Sequence, residues 1–229
     1  MSFDVALILQ SLPQILEGVG LTVQLHLISL AAGTLLAVGL ALLRISPNPA
    51  LSWPALVYIY VFRGTPMLVQ VAIVYYGLAQ FEMVRNSPLW PTLREPFWCA
   101  IIAFTLNVTA YTAEILRGGI QGVDRGLLEA GKSLGLSAWH RFTRITIPIA
   151  MRLSIPAYGN EMISLLKGTA LASMITMYDV TGVARTIVSR TFAPYEIFIS
   201  AALVYLALTW VIQQGVKFAE RYFNRHLRK

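Results

Sequence analysis

The sequence predicts an all-α membrane protein, a single domain over residues 1–229 with about five transmembrane helices, its N-terminus outside and its C-terminus in the cytoplasm. Three observations carry that reading. Of 229 residues, 56% are hydrophobic and 13% charged, against about 25% charged in an ordinary soluble domain, and the mean hydropathy is +0.63. Several stretches long enough to cross a bilayer hold no Asp, Glu, Lys or Arg. The basic residues behind the net charge of +7 collect between those stretches, mostly on one side of them.

A helix rises about 1.5 Å per residue, so about 20 apolar residues cross the hydrocarbon. At the N-terminus, Val5, Ile8, Leu9, Leu12 and Ile15 follow a helical period, with Pro13 as a breaker. This stretch is too short to span and is expected to lie along the membrane surface as a short amphipathic helix. The first span is 18–43, free of charge between Glu17 and Arg44 and ended by Pro47-Asn48-Pro49. The second, 53–81, is interrupted at Arg63-Gly64-Thr65-Pro66. The third, 97–116, carries no charge before Glu114. The fourth, 153–176, is apolar on average but contains Asn160, Glu161, Lys167 and Gly168. It is read as a helix buried against other helices, because charge facing lipid at depth is costly; an external loop is the alternative. The fifth span is 196–216.

Five spans leave the chain ends on opposite sides. One side then holds Arg44, the loop residues Arg117, Arg125, Lys132, Arg141, Arg144 and Arg152, and the terminal Lys217, Arg221, Arg225, Arg228 and Lys229. The other holds Arg85, Arg94, Arg185 and Arg190. The excess of basic residues marks the first side as cytoplasmic.

Several functions are excluded on the same page. No stretch resembles a groove-reading helix or a stacking platform, so nucleic acid is not the partner the charge implies; membrane lipid is. Cys99 stands alone and forms no intrachain disulfide. The first basic residue is Arg44, so the positively charged start of a secretory signal is missing. His26, His140 and His226 show no ligand spacing, so no metal site is expected, and no Gly-x-Ser-x-Gly turn offers a nucleophile. Trp53, Trp90, Trp98 and Trp210 fall near span ends or external loops, where interfacial aromatics anchor a protein.

The cytoplasmic loop 117–152 has more order than a linker needs. Residues 124–134 form a short amphipathic helix with Leu127, Ala130 and Leu134 on one face. Gly135 suits its end, since glycine takes the left-handed conformation without steric penalty. Ser137 can cap a second short helix carrying Trp139, and Pro148 marks re-entry into the membrane.

Here the residues carry a family resemblance. Glu129-Ala130-Gly131, three residues, Gly135, nine residues and Ile145-Thr146-Ile147-Pro148 resemble the loop signature of permease subunits of bacterial binding-protein-dependent ABC importers. The departures are Gly131, where that pattern has Ala, and Ile147, where it has Leu; Gly131 should weaken the helix by about 1 kcal/mol relative to Ala. Phe62-Arg63-Gly64-Thr65-Pro66, Tyr111-Thr112-Ala113-Glu114-Ile115, Gly159-Asn160-Glu161 and Lys167-Gly168-Thr169-Ala170-Leu171 are similar to the histidine/arginine/opine branch, and the likeness covers about residues 15–225. It implies a coupling helix seated in a separate ATPase, with Glu129, Ala130, Gly131, Leu134 and Gly135 at the contact. It also implies the partners: an ATP-binding subunit dimer, a second permease subunit that is related or identical, and a periplasmic or extracellular amino-acid-binding protein. The implied location is the bacterial inner membrane, and the implied cargo is a polar, basic amino acid or an opine. No G-x-x-x-x-G-K-[ST] loop occurs in this chain. No cofactor is therefore expected here, ATP and Mg falling to the partner, and the chain is expected to be a transport subunit rather than an enzyme. A self-contained secondary transporter or channel is the competing reading, and five spans without an inverted repeat fit it poorly.

Ionisable residues inside a membrane are candidates for function by default. Glu161 is the most informative: its carboxylate complements a guanidinium or ammonium group, or else pairs with Arg63 or Lys167 across a helix contact. Asn160 beside it offers a donor and an acceptor. Arg63, with Thr65 in the same interruption, faces either a substrate carboxylate or Glu161. Glu114 completes the set of substrate-path candidates and, three residues from Arg117, is read mainly as its local ion-pair partner.

Overall fold

The computed structural model describes residues 4–223, which fold as helices with no β-strand among them. In chain order these are α1 (Val5–Glu17), α2 (Val19–Ile45), α3 (Pro49–Gly64), α4 (Met67–Ala72), α5 (Glu82–Arg85), α6 (Trp90–Leu93), α7 (Pro96–Gln121), α8 (Arg125–Ser133), α9 (Ala138–Arg141), α10 (Ile147–Gly168), α11 (Val180–Thr191) and α12 (Pro194–Phe223). Arg225, Arg228, Lys229 and His226, counted above, lie outside the described residues.

The organising element is α7, 67% buried over its most apolar window against 22% for α12. It packs on α2, α3, α4 and α10, and Phe104 and Val108 lie at the centre of a core with Leu25, Val71 and Leu165. Its contact with α2 is close because Gly33 has no side chain: a Cβ there would lie 2.7 Å from Val108 Cγ1 and 3.1 Å from the Thr105 carbonyl. A second core joins α1, α11 and α12 through Ile15, Val180, Ala184, Ile197 and Ala201.

Among the described residues, three helices are long and apolar enough to cross a membrane: α2, α7 and α12. The expected second span is not one rod. The segment Met67–Gln80 leaves α3 at 104°, so the pair is a broken span or a re-entrant loop. The fourth expected span differs from 153–176 in its bounds. The α-helix covers Ile147–Gly168, then tightens to a 3₁₀ turn over Thr169–Ile175 and stops at Thr176, which has φ 66°. Arg152, Glu161 and Lys167 keep α10 below the apolarity of a lipid-facing span; it packs between α7 and α12 instead.

Pro13 does not break α1. It lies on the exposed face, and so does Leu9, whose carbonyl loses its partner to the proline. The apolar face of α1 meets protein rather than only the membrane surface. Ile15 is fully buried, and Ser11 Oγ lies 3.0 Å from Ser200 Oγ of α12, while Leu9 and Leu16 point outward.

Candidate functional site

The break after α3 is where the site begins. Pro66 has no N–H to return to the Phe62 carbonyl four residues back, and a buried carbonyl without a donor is costly. Gln70 supplies the donor. Its Nε2 reaches the Phe62 carbonyl at 2.8 Å, the Thr65 carbonyl at 3.1 Å and Thr65 Oγ1 at 2.9 Å. Asn107 Nδ2 of α7 donates in turn to Gln70 Oε1 at 2.9 Å, which ties the bend to the central helix. Gln70→Leu takes away these bonds and leaves the Phe62 carbonyl only the longer contact from Asn107 Nδ2 at 3.4 Å; the expected loss is about 1–3 kcal/mol of stability. An unchanged thermal midpoint of the purified complex would contradict this account.

The bend opens a cavity of about 570 Å³, lined by Arg63, Thr65, Asn107, Glu161, Ser164 and Lys167 among others. Glu161 is 8% exposed, and among the described residues its carboxylate has neither ion pair nor hydrogen bond. Asn160 is exposed and is not part of the lining, where Ser164 stands one turn on. Among the described residues neither Arg63 nor Lys167 comes within ion-pair distance of Glu161.

Arg63 belongs instead to Glu114. Arg117 grips that carboxylate, with Nε 2.9 and 3.0 Å from its two oxygens and NH2 at 2.7 Å. Arg63 NH1 follows at 3.8 Å and Arg44 Nε at 4.0 Å. The Arg63 guanidinium also lies 5.2 Å from the centre of the Tyr111 ring, a cation–π distance. A second cavity, about 410 Å³, opens beside this cluster and is lined by Arg44, Tyr60, Arg63, Tyr111 and Glu114 among others. The two cavities share Arg63, Gly64 and Tyr111.

The loop after α7 makes the third feature. Asp124 caps α8 by accepting the Gly126 N–H at 2.6 Å. At the other end Gly135 has φ 75°. Its N–H reaches the Lys132 carbonyl and that of Leu136 reaches Gly131, each at 3.0 Å, the paired bonds of a Schellman close. Ser137 accepts the His140 N–H to cap α9. Gly131 is the buried residue of α8; a Cβ there would lie 2.8 Å from Ile145 Cδ1, so glycine where the family pattern has alanine leaves room for Ile145. The face carrying Leu127, Ala130 and Leu134 is exposed, Leu134 by 81%. Glu129 is exposed as well and borders a notch with Leu128, Lys132 and Arg141.

Gln70, Asn107 and Arg44 escaped the sequence reading. The two amides stand alone in apolar runs, a signal that polar groups in membrane helices bond across helix contacts. Arg44 ends a charge-free run and registers only as a marker of topology.

Apolar helices around a cavity walled by unpaired charge, with a capped helix presented beside them, describe an integral-membrane transport subunit. The chain belongs to the family described as "Binding-protein-dependent transport system inner membrane component", whose sequence profile matches residues 29–229. It is therefore the inner-membrane permease component of an ABC importer, not an enzyme; ATP is bound by a partner subunit, and the system works with a binding protein. It is 46% identical over 226 residues to the nopaline transport system permease protein NocM of Agrobacterium fabrum, covering 98% of this chain and 94% of that one. It is 38% identical over 211 residues to the histidine/lysine/arginine/ornithine transport system permease protein HisM of Salmonella typhimurium, covering 92% and 90%. A crystal structure of an amino acid ABC transporter with histidines superimposes with a TM-score of 0.85 at 35% identity, over 97% of this chain and 100% of that one. The MetNI methionine ABC transporter, at 14% identity and a TM-score of 0.77 over 93% of this chain and 98% of that one, shares the fold.

Proposed function

We propose that the chain forms half of the translocation path of an importer for basic amino acids or the opines built from them. Relatives named for histidine, lysine, arginine, ornithine and nopaline transport support this cargo. The observation that carries it is Glu161: a carboxylate without a partner among the described residues, facing a cavity, complements a guanidinium or ammonium group. Arg63 and Lys167 on the same walls offer charge for the α-carboxylate.

In this reading the spans are α2, α3 with Met67–Gln80, α7, α10 and α12. The N-terminus is outside, and α10 spans because its Glu161 and Lys167 face the cavity rather than lipid. A second permease, identical or related, closes the other half, and an external binding protein delivers substrate. Through Glu129, Ala130, Gly131, Leu134 and Gly135, α8 and its close transmit the motion of an ATPase dimer; the exposed Leu127, Ala130 and Leu134 are the apolar surface such docking requires.

Uptake of labelled arginine by cells carrying the whole importer tests the cargo. Excess lysine, ornithine, histidine or octopine should suppress it, and deletion of this chain should remove it. Suppression by leucine or glutamate alone would dismiss the basic cargo.

A further inference from the structure

Glu114 is over-neutralised. One guanidinium, Arg117, already satisfies it through close contacts to both oxygens, yet Arg63 and Arg44 stand at 3.8 and 4.0 Å. These two contacts are too long for hydrogen bonds. Arg44 Nε is buried and has no hydrogen-bond partner, which is costly for a charged donor. Two surplus cations therefore border a cavity of about 410 Å³ whose other walls include Tyr60 and Tyr111.

We propose that this cavity is a second station on the substrate path, one that takes the α-carboxylate of the transported amino acid. Arg44 and Arg63 hold the carboxylate, and Glu114 stays with Arg117. Three guanidinium groups around one carboxylate leave a local excess of two positive charges, which suits an anion and repels a bare cation. The substrate's side chain then lies between the tyrosine rings, where a cation is attracted to the ring faces.

Position supports passage rather than storage. The station shares Arg63, Gly64 and Tyr111 with the Glu161 cavity, so a ligand moves between them past the Arg63 and Tyr111 side chains. Glu114 lies seven residues, about 10 Å, from the Gln121 end of α7, and Glu161 fourteen residues, about 21 Å, from the Ile147 end of α10. With both of those ends cytoplasmic, the new station is the inner one. This inference rests on the basic amino-acid reading above.

The test compares arginine with agmatine, the same molecule without its carboxylate. Both are titrated against the assembled complex of permease pair and ATPase in nanodiscs, without binding protein. Arg44→Gln should weaken arginine by about tenfold, the scale of one lost charge-assisted hydrogen bond, and leave agmatine unchanged; Arg44→Lys should keep most of the arginine affinity. Equal losses for both ligands would mean that Arg44 only braces the fold, and the station would be withdrawn. An Arg44→Gln effect present only in nanodiscs containing phosphatidylglycerol would reassign the cluster to a lipid headgroup and likewise overturn it. The cargo reading fails separately, if Glu161→Gln leaves agmatine binding untouched.

Discussion

Glu129→Lys is expected to abolish substrate-stimulated ATP hydrolysis in the reconstituted importer while the permease itself stays folded. Glu129 is exposed on α8, and among the described residues no side chain pairs with its carboxylate. Exposed substitutions of this kind change stability by about 0.5 kcal/mol or less, so the fold has no stake in the charge. A partner does. Reversing one member of a charge pair that becomes buried on docking costs about 2–5 kcal/mol, which is more than tenfold in affinity. The helix is built to carry that contact: Asp124 caps its start, the Gly135 close fixes its end, and Gly131 packs it against Ile145 at the root of α10. Stimulated hydrolysis at the normal rate in the Lys variant, with the complex intact, would remove α8 from coupling.

Glu161→Gln is the second large effect. The substitution keeps shape and removes charge in a cavity where that carboxylate has no partner among the described residues. Arginine or lysine uptake should fall by about tenfold or more, the value of a charge-assisted bond in a partly dry site. Uptake of histidine, largely neutral above its usual titration range, should fall less at pH 8. The contrast between substrates matters more than either loss. Parallel losses would make Glu161 a structural residue.

Much of this was legible along the chain. The charge-free runs before Arg44 and after Glu196 became α2 and α12, because the cost of charge in lipid is summed residue by residue and needs no knowledge of neighbours. The Gly135 close was legible for a similar reason, since a left-handed residue ending a helix is a local steric matter. Less legible was the second span. Gly64 and Pro66 announce an interruption, but its angle depends on Gln70 replacing the missing Pro66 donor and on Asn107, 37 positions further on, holding Gln70.

Sequence alone therefore determined the membrane class, the family, the separate ATPase and the capped short helix of the 117–152 loop. Each of these is written in local composition or in a spacing that backbone geometry dictates. Which carboxylate Arg63 serves was left to the folded chain. On paper Glu161 is the carboxylate weighed for Arg63, and Glu114 goes to Arg117; Coulomb attraction falls with distance through space, not along the sequence. The packing of α3 on α7 brings Arg63 to Glu114, and the 104° turn after α3 leaves Glu161 facing an open cavity.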